Sequence, residues 1–213
     1  MSRGSMAGIK QEVRIPRQQR SIEKKQRIKA AAEKLFAEKG FYPVNSNQIA
    51  LAAGVSVGSF YSYFKDKKAL LLEIITEFHQ RFQTEVFSQP MEKGWKDWDL
   101  KEIIRYYINN TLKAFELSPD FFRMIYSMLY YDPEVKEVFD AAEKKEREQI
   151  KSILSNLKRR ICVQDIDAAV FMIYSSIANV VHRLKLLGLQ MEEERLISEL
   201  TTMLYRYLKK DTI

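Results

Sequence analysis

The chain is poor in residues that cross-link or punctuate a fold. Its single cysteine, Cys162, has no partner for an internal disulfide, which excludes the small stapled folds and fits a reducing compartment. Seven glycines and five prolines in 213 residues are too few for the many tight turns of an all-β protein. With only His79 and His182 there is no spaced Cys/His set for a metal, and no Gly-rich phosphate loop occurs. The longest uncharged apolar-rich run, Ala168 to Val181, falls short of the roughly 20 residues that cross a bilayer, and no N-terminal apolar signal segment is present. These absences predict a cytoplasmic protein with no membrane span, no metal and no cofactor.

What is abundant is apolar and unevenly charged. Hydrophobic residues make up 46% of the chain, enough for a substantial core. The net charge of +7 is segregated. Residues 1–80 hold 14 Lys+Arg against 7 Asp+Glu, whereas the remainder balances 21 against 21. A basic first third joined to a neutral remainder suggests a polyanion-binding module attached to a second function.

Residues 1–20 lack periodicity and read as a flexible basic arm with Lys10, Arg14, Arg17 and Arg20. From Ser21, Ile28, Ala31, Ala32, Leu35 and Phe36 recur at helical steps, and Lys39-Gly40 ends that helix. Ser46 is the expected cap of a short second helix with Ile49, Ala52 and Ala53 inward, Gly54 permits a turn, and Ser56 caps a third helix, Val57 to Phe64. Asp66 caps a fourth, 67 to about 83. Pro90, Pro119 and Pro133 sit at expected breaks, leaving helices near 99–117, 120–130, 134–160, 165–187 and 192–209. The fold class is all-α: a helix-turn-helix unit over 21–66, then a larger helical bundle over 67–213 whose helix 67–83 connects the two.

Two short helices around Gly54 match the helix-turn-helix plan, whose second helix enters the major groove. Val55, Phe60 and Phe64 can hold the second helix inward, leaving Val57, Ser59, Tyr61 and Tyr63 outward. Gly58 would let the backbone approach a duplex closely. Lys65, Lys67 and Lys68 follow at the next helix start, which also favours an anion. Gly54-Val-Ser-Val-Gly58 also satisfies the hydrolase pattern G-x-S-x-G, but that chemistry needs a preceding strand, and the preceding segment is alanine-rich and helical.

The run Ala53-Gly-Val-Ser-x-Gly-x-Phe-Tyr-x-Tyr-Phe-x-x-Lys-x-x-Leu70, preceded by Ile49-Ala50, resembles the signature of the tetracycline-repressor-like (TetR) regulators over about residues 22–75. The resemblance implies that Ser46, Tyr61, Tyr63 and Lys67 contact phosphates, and that Asn47, Val57, Gly58 and Ser59 meet base edges. It implies a palindromic double-stranded operator, repression relieved by a small-molecule effector, and a homodimer built by the last two helices, 165–187 and 192–209. Effector binding would then tilt the N-terminal units through helix 67–83.

The residues themselves offer a pocket from large, adaptable side chains: Phe115, Phe121, Phe122, Met124, Met128 and Tyr131, with Met172 and Tyr174. Ser175, Asn179 and His182 share one helix face and could orient a polar ligand group or hydrogen-bond across a dimer. The abundance of Phe, Tyr and Met suggests a hydrophobic or aromatic effector, although such stripes also build plain cores. Two alternatives stay open: a DNA-binding protein without small-molecule control, and a helical enzyme acting on an apolar substrate. The second lacks any catalytic constellation.

Overall fold

The computed structural model describes residues 17–93, 98–116 and 118–210. Among these the chain forms nine helices: α1 (Arg17–Lys39), α2 (Ser46–Ala52), α3 (Val57–Tyr63), α4 (Lys67–Lys93), α5 (Leu100–Glu116), α6 (Pro119–Met128), α7 (Pro133–Asn156), α8 (Ile166–Lys185) and α9 (Glu193–Leu208). The chain's only β-like feature among the described residues is an isolated bridge between Ile161 and Lys209.

Helix α1 starts at Arg17, four residues before the expected start, so the end of the expected basic arm is helical. Gly40 closes it at a φ of 78°, a conformation that costs little only without a Cβ. The cap of α2 is Asn45, not Ser46: Asn45 Oδ1 accepts from Gln48 N at 3.0 Å, and Asn45 N donates to Gln48 Oε1 at 3.0 Å. This reciprocal pair satisfies two helix-end groups, which Ser46 could not do because no Gln or Glu stands three residues after it. Ala52 faces solvent, and Ala50 takes the inward position beside Ile49.

Helix α4 runs through Pro90 to Lys93, well past the expected end near residue 83. Val86 and Phe87 are buried and extend its apolar stripe, so tertiary packing outweighs the local disadvantage of an interior proline. Asp66 caps its start, accepting from Ala69 N at 2.8 Å. Lys29, almost wholly buried on α1, pairs with Glu73 and Glu77 of α4, while Lys25 pairs with Glu73 at 2.8 Å. Glu73 is held below its ordinary pKa by these two lysines against an opposing push from burial.

Apolar side chains gather into two cores. One contains Phe36, Ile49, Phe60, Leu70 and Leu71 from α1–α4 together with Phe121, Ile125 and Met128 from α6. The other joins the rest of α4 to α5, α7, α8 and α9. Adjacent residues on α6 therefore serve different cores: Phe121 packs under the N-terminal helices, whereas Phe122 turns towards α4 and α5. The carboxylate of Asp132, which caps α7, is also paired with Lys68 at the start of α4.

Candidate nucleic-acid interface and an aromatic cavity

The turn between α2 and α3 closes through Gly54 N to Leu51 O at 3.1 Å and Val55 N to Ala50 O at 3.0 Å, with Gly54 at a φ of 63°. Ser56 then accepts from Ser59 N at 3.1 Å, which supplies the N-cap of α3. Phe60 is fully buried and Phe64 nearly so, fixing one face of α3 against α1 and α2. The opposite face is open. Val57 and Tyr61 are 39% and 55% exposed, and Asn47, Gly58 and Lys65 are exposed too. Ser59 and Ser46 are half-buried.

A Cβ built on Gly58 would meet nothing within 4 Å, and its φ is ordinary. Among the described residues no contact requires glycine there.

Two of the expected phosphate contacts are engaged within the protein. Lys67 Nζ donates to the carbonyls of Phe41 at 2.8 Å, Tyr42 at 3.0 Å and Val44 at 2.6 Å. An ammonium has three protons, and all three are used in tying the α1–α2 loop to α4. Those contacts turn its charge inward, and burial lowers its pKa. Tyr63 is half-buried, with its hydroxyl 3.0 Å from Ser21 Oγ on α1. Lys65 is the exposed cation of this segment.

The second site is a cavity of about 40 Å³ enclosed by α4, α5, α6, α7 and α8. Six rings close around it in an unbroken circuit. Phe78 meets Phe122 (4.5 Å between ring centres), Phe122 meets Phe115 (4.8 Å), and Phe115 meets Tyr126 (6.2 Å). Tyr126 meets Phe139 (5.3 Å), Phe139 meets His79 (5.2 Å), and His79 returns to Phe78 (5.5 Å). Glu146 lines the same cavity, with its side chain 8% exposed. Its Oε1 lies 3.5 Å from His79 Nδ1, an ion-pair distance at the outer edge of hydrogen bonding, and that buried nitrogen has no hydrogen-bond partner. Burial raises the Glu146 pKa, with His79 opposing the shift. Among the described residues no lysine or arginine lines the cavity.

Of the ligand residues expected from sequence, Phe115, Phe122 and Tyr174 line this cavity. Phe121 and Met128 are buried in the N-terminal core, and Met124 packs against it. Tyr131 is exposed and packs on Tyr42. Met172 is exposed on the outer side of α8, Ser175 is half-buried, and Asn179 accepts from Arg183 Nε at 3.1 Å. His182 lies just outside, its ring 4.5 Å from that of Tyr126; burial and Arg183 lower its pKa. Pattern reading missed His79 and Glu146. Both interrupt apolar stripes at helical spacing, His79 between Ile75 and Phe82 on α4, Glu146 between Ala142 and Ile150 on α7. An ionisable residue inside such a stripe is the signal that would have found them.

These features define a class: an all-helical, helix-turn-helix protein with a separate helical domain enclosing a cavity. Residues 28–74 match the bacterial regulatory proteins of the tetR family, and residues 99–208 match the tetracyclin repressor-like C-terminal domain. The chain belongs to the TetR family. It is 26% identical over 119 residues to YdgC, an uncharacterized HTH-type transcriptional regulator of Bacillus subtilis (strain 168), a match covering 56% of this chain and 60% of YdgC. The chain thus spans about three-fifths of that relative's length. Its fold is similar to that of a TetR-family transcriptional regulator from Mesorhizobium loti MAFF303099, with a TM-score of 0.76, 16% identity, and 90% and 99% of the two chains covered. A transcriptional regulator from Saccharomonospora viridis in complex with choline gives 0.72 at 16% identity, with 89% and 100% covered.

Among the described residues no helix is long and apolar enough to cross a membrane. The G-x-S-x-G match spans the turn and the start of α3 and has helix α2, not a strand, before it.

Proposed function

We propose that this protein is a cytoplasmic, homodimeric transcriptional repressor that grips a palindromic DNA operator through α3 and releases it when a small hydrophobic or aromatic effector enters the cavity. The observation that carries the DNA reading is the open face of α3, with Val57, Gly58 and Tyr61 exposed and Ser59 half-buried, on a basic part of the chain that also exposes Asn47 on α2 and Lys65 just after α3. Ser46 and Tyr63 flank this face. Val57 and Ser59 suit a thymine methyl or a single hydrogen bond, leaving room for Asn47 to add specificity.

The dimer reading rests on the outer sides of α8 and α9. Phe171 and Met172, neighbours on α8, and Met203 and Tyr207, one turn apart on α9, leave large apolar side chains exposed. Two such pairs form a self-complementary four-helix contact. The effector reading rests on the enclosed cavity and on its walls. Phe78 and His79 lie on α4, which begins directly after the helix-turn-helix, and Phe122 lies on α6 beneath it. Moving either helix changes the spacing of two recognition helices that must match major grooves about 34 Å apart. The S. viridis neighbour's choline complex supports a small-molecule role for this type of domain. The small volume of the cavity favours a second reading, a DNA-binding regulator with no effector.

Fluorescence anisotropy on a library-selected duplex and on random duplex, over a range of salt, tests the DNA reading. A palindromic sequence bound at least ~10³-fold more tightly than random DNA, with a steep salt slope, is the expected result. Binding that ignores sequence would refute it. Adding effector libraries to the selected complex separates the two regulatory readings.

A further inference from the structure

We propose that the cavity is built for an organic cation with an apolar tail, its positive head seated against Glu146 within the aromatic circuit. This deepens the effector reading above and rests on it. Among the residues lining the cavity, the buried carboxyl of Glu146 faces no lysine or arginine and has His79 as its partner at 3.5 Å, so a bound cation would supply the full positive charge that the lining lacks. Six aromatic rings line the same cavity, and the face of an aromatic ring attracts a cation, most strongly where water is excluded. Tyr107 and Tyr174 extend the aromatic wall. The long 3.5 Å approach of His79 Nδ1 to Glu146, with no hydrogen bond closing it, marks the polar position that a head group would reorganise. The same lining disfavours anionic ligands such as fatty acids, because their carboxylate would meet Glu146 with no basic side chain to receive it.

The tail follows from a second cavity of about 50 Å³. It shares Tyr107 and Ile177 with the first, and apart from the Tyr107 hydroxyl its lining is wholly apolar, including Phe87, Ile104, Ile150 and Leu208. A charged chamber opening side by side with an apolar one fits an amphiphile whose two ends differ in the same way.

Neither chamber holds such a molecule at its present volume, so binding must push walls apart. Four of the six rings belong to α4 (Phe78, His79) and α6 (Phe122, Tyr126). Both helices also pack in the N-terminal core, α4 through its first turns (Leu70, Leu71, Ile74, Ile75) and α6 through another face (Phe121, Ile125, Met128). A cation that draws Glu146 away from His79 therefore acts on α4 first.

The test is calorimetric titration of the full chain with octyltrimethylammonium, 1-octanol and octanoate, which share a tail and differ in charge. The cation is expected to bind at least about tenfold more tightly than octanol, with octanoate weakest. In Glu146→Gln the cation's advantage over octanol should disappear while octanol binding is retained, which also reports that the variant is folded. Octanoate binding as tightly as the cation, an unchanged preference in Glu146→Gln, or no binding by any of the three would each overturn the proposal. Repeating the titrations with operator duplex present keeps the two readings apart. A cation that binds as expected but leaves DNA affinity unaltered supports the ligand class and overturns only the switch.

Discussion

Gly58→Ala should make the protein slightly more stable and a worse DNA binder. Within the chain nothing opposes the added methyl, since a Cβ at this position meets no atom within 4 Å and the backbone φ is one any residue adopts. Glycine inside a helix costs roughly 0.5–1 kcal/mol relative to alanine through lost backbone freedom. Gly58 sits in the first turn of α3, so the gain is expected near the lower figure, about 0.5 kcal/mol, or ~1–2 °C in Tm for a chain of this size. On DNA the sign reverses. If the backbone at Gly58 approaches the duplex, a methyl holds α3 back and weakens the contacts beside it by about 1 kcal/mol per recognition helix, a conservative share of the 1–3 kcal/mol carried by one good base contact. A dimer carries the change twice, so Kd should rise about thirtyfold. Calorimetric melting and anisotropy on the selected duplex measure the two effects separately. An alanine variant that binds the duplex as tightly as the parent would refute the close approach, and one with a lowered Tm would refute the account of its packing.

Lys67→Met leaves three carbonyls without their donor and should lower unfolding free energy in urea by about 2–3 kcal/mol. The salt slope of DNA binding should stay unchanged in that variant, whereas Lys65→Ala should reduce it by about one unit per protomer. Because burial raises the Glu146 pKa, the native state disfavours its ionised form; the group destabilises the fold as pH rises above the ordinary carboxylate range, where the unfolded chain ionises first. The Tm of the parent should therefore fall relative to Glu146→Gln as pH rises from about 4, the ordinary carboxylate range, and parallel curves would contradict this. Phe171→Glu places a charge on the exposed face of α8 and should convert a dimer to monomers in sedimentation velocity with little change in helicity.

The parts of this molecule governed by local chemistry were legible in the sequence. Gly54 with its turn, Ser56 as a cap, Asp66 as a cap and Phe60 as an inward anchor all follow from spacing and residue type. Where two neighbours could do the same task, the choice depended on a partner: Asn45 wins over Ser46 because Gln48 returns its hydrogen bond. Long-range geometry was not legible. The direction of the Lys67 ammonium depends on the path of the loop after α1, which brings three carbonyls together. The cavity likewise draws on five helices, and only the breaks in two apolar stripes, at His79 and Glu146, betray it. Phe121 and Phe122 are indistinguishable in a pattern of large apolar residues, yet a helix turns successive side chains about 100° apart and sends them to different cores.

That divided allegiance of α6 bears on how the molecule can be taken apart. The N-terminal helices are not a detachable reading head, because Phe121, Ile125 and Met128 fill their core from a helix more than fifty residues downstream of α3. A fragment cut after α4 would expose the apolar bed on which those side chains rest. A chimaera joining this DNA-binding segment to a foreign ligand domain would need to import α6 or match its surface. Such grafts should succeed or fail on the complementarity of one helix, whatever the fit of the linker.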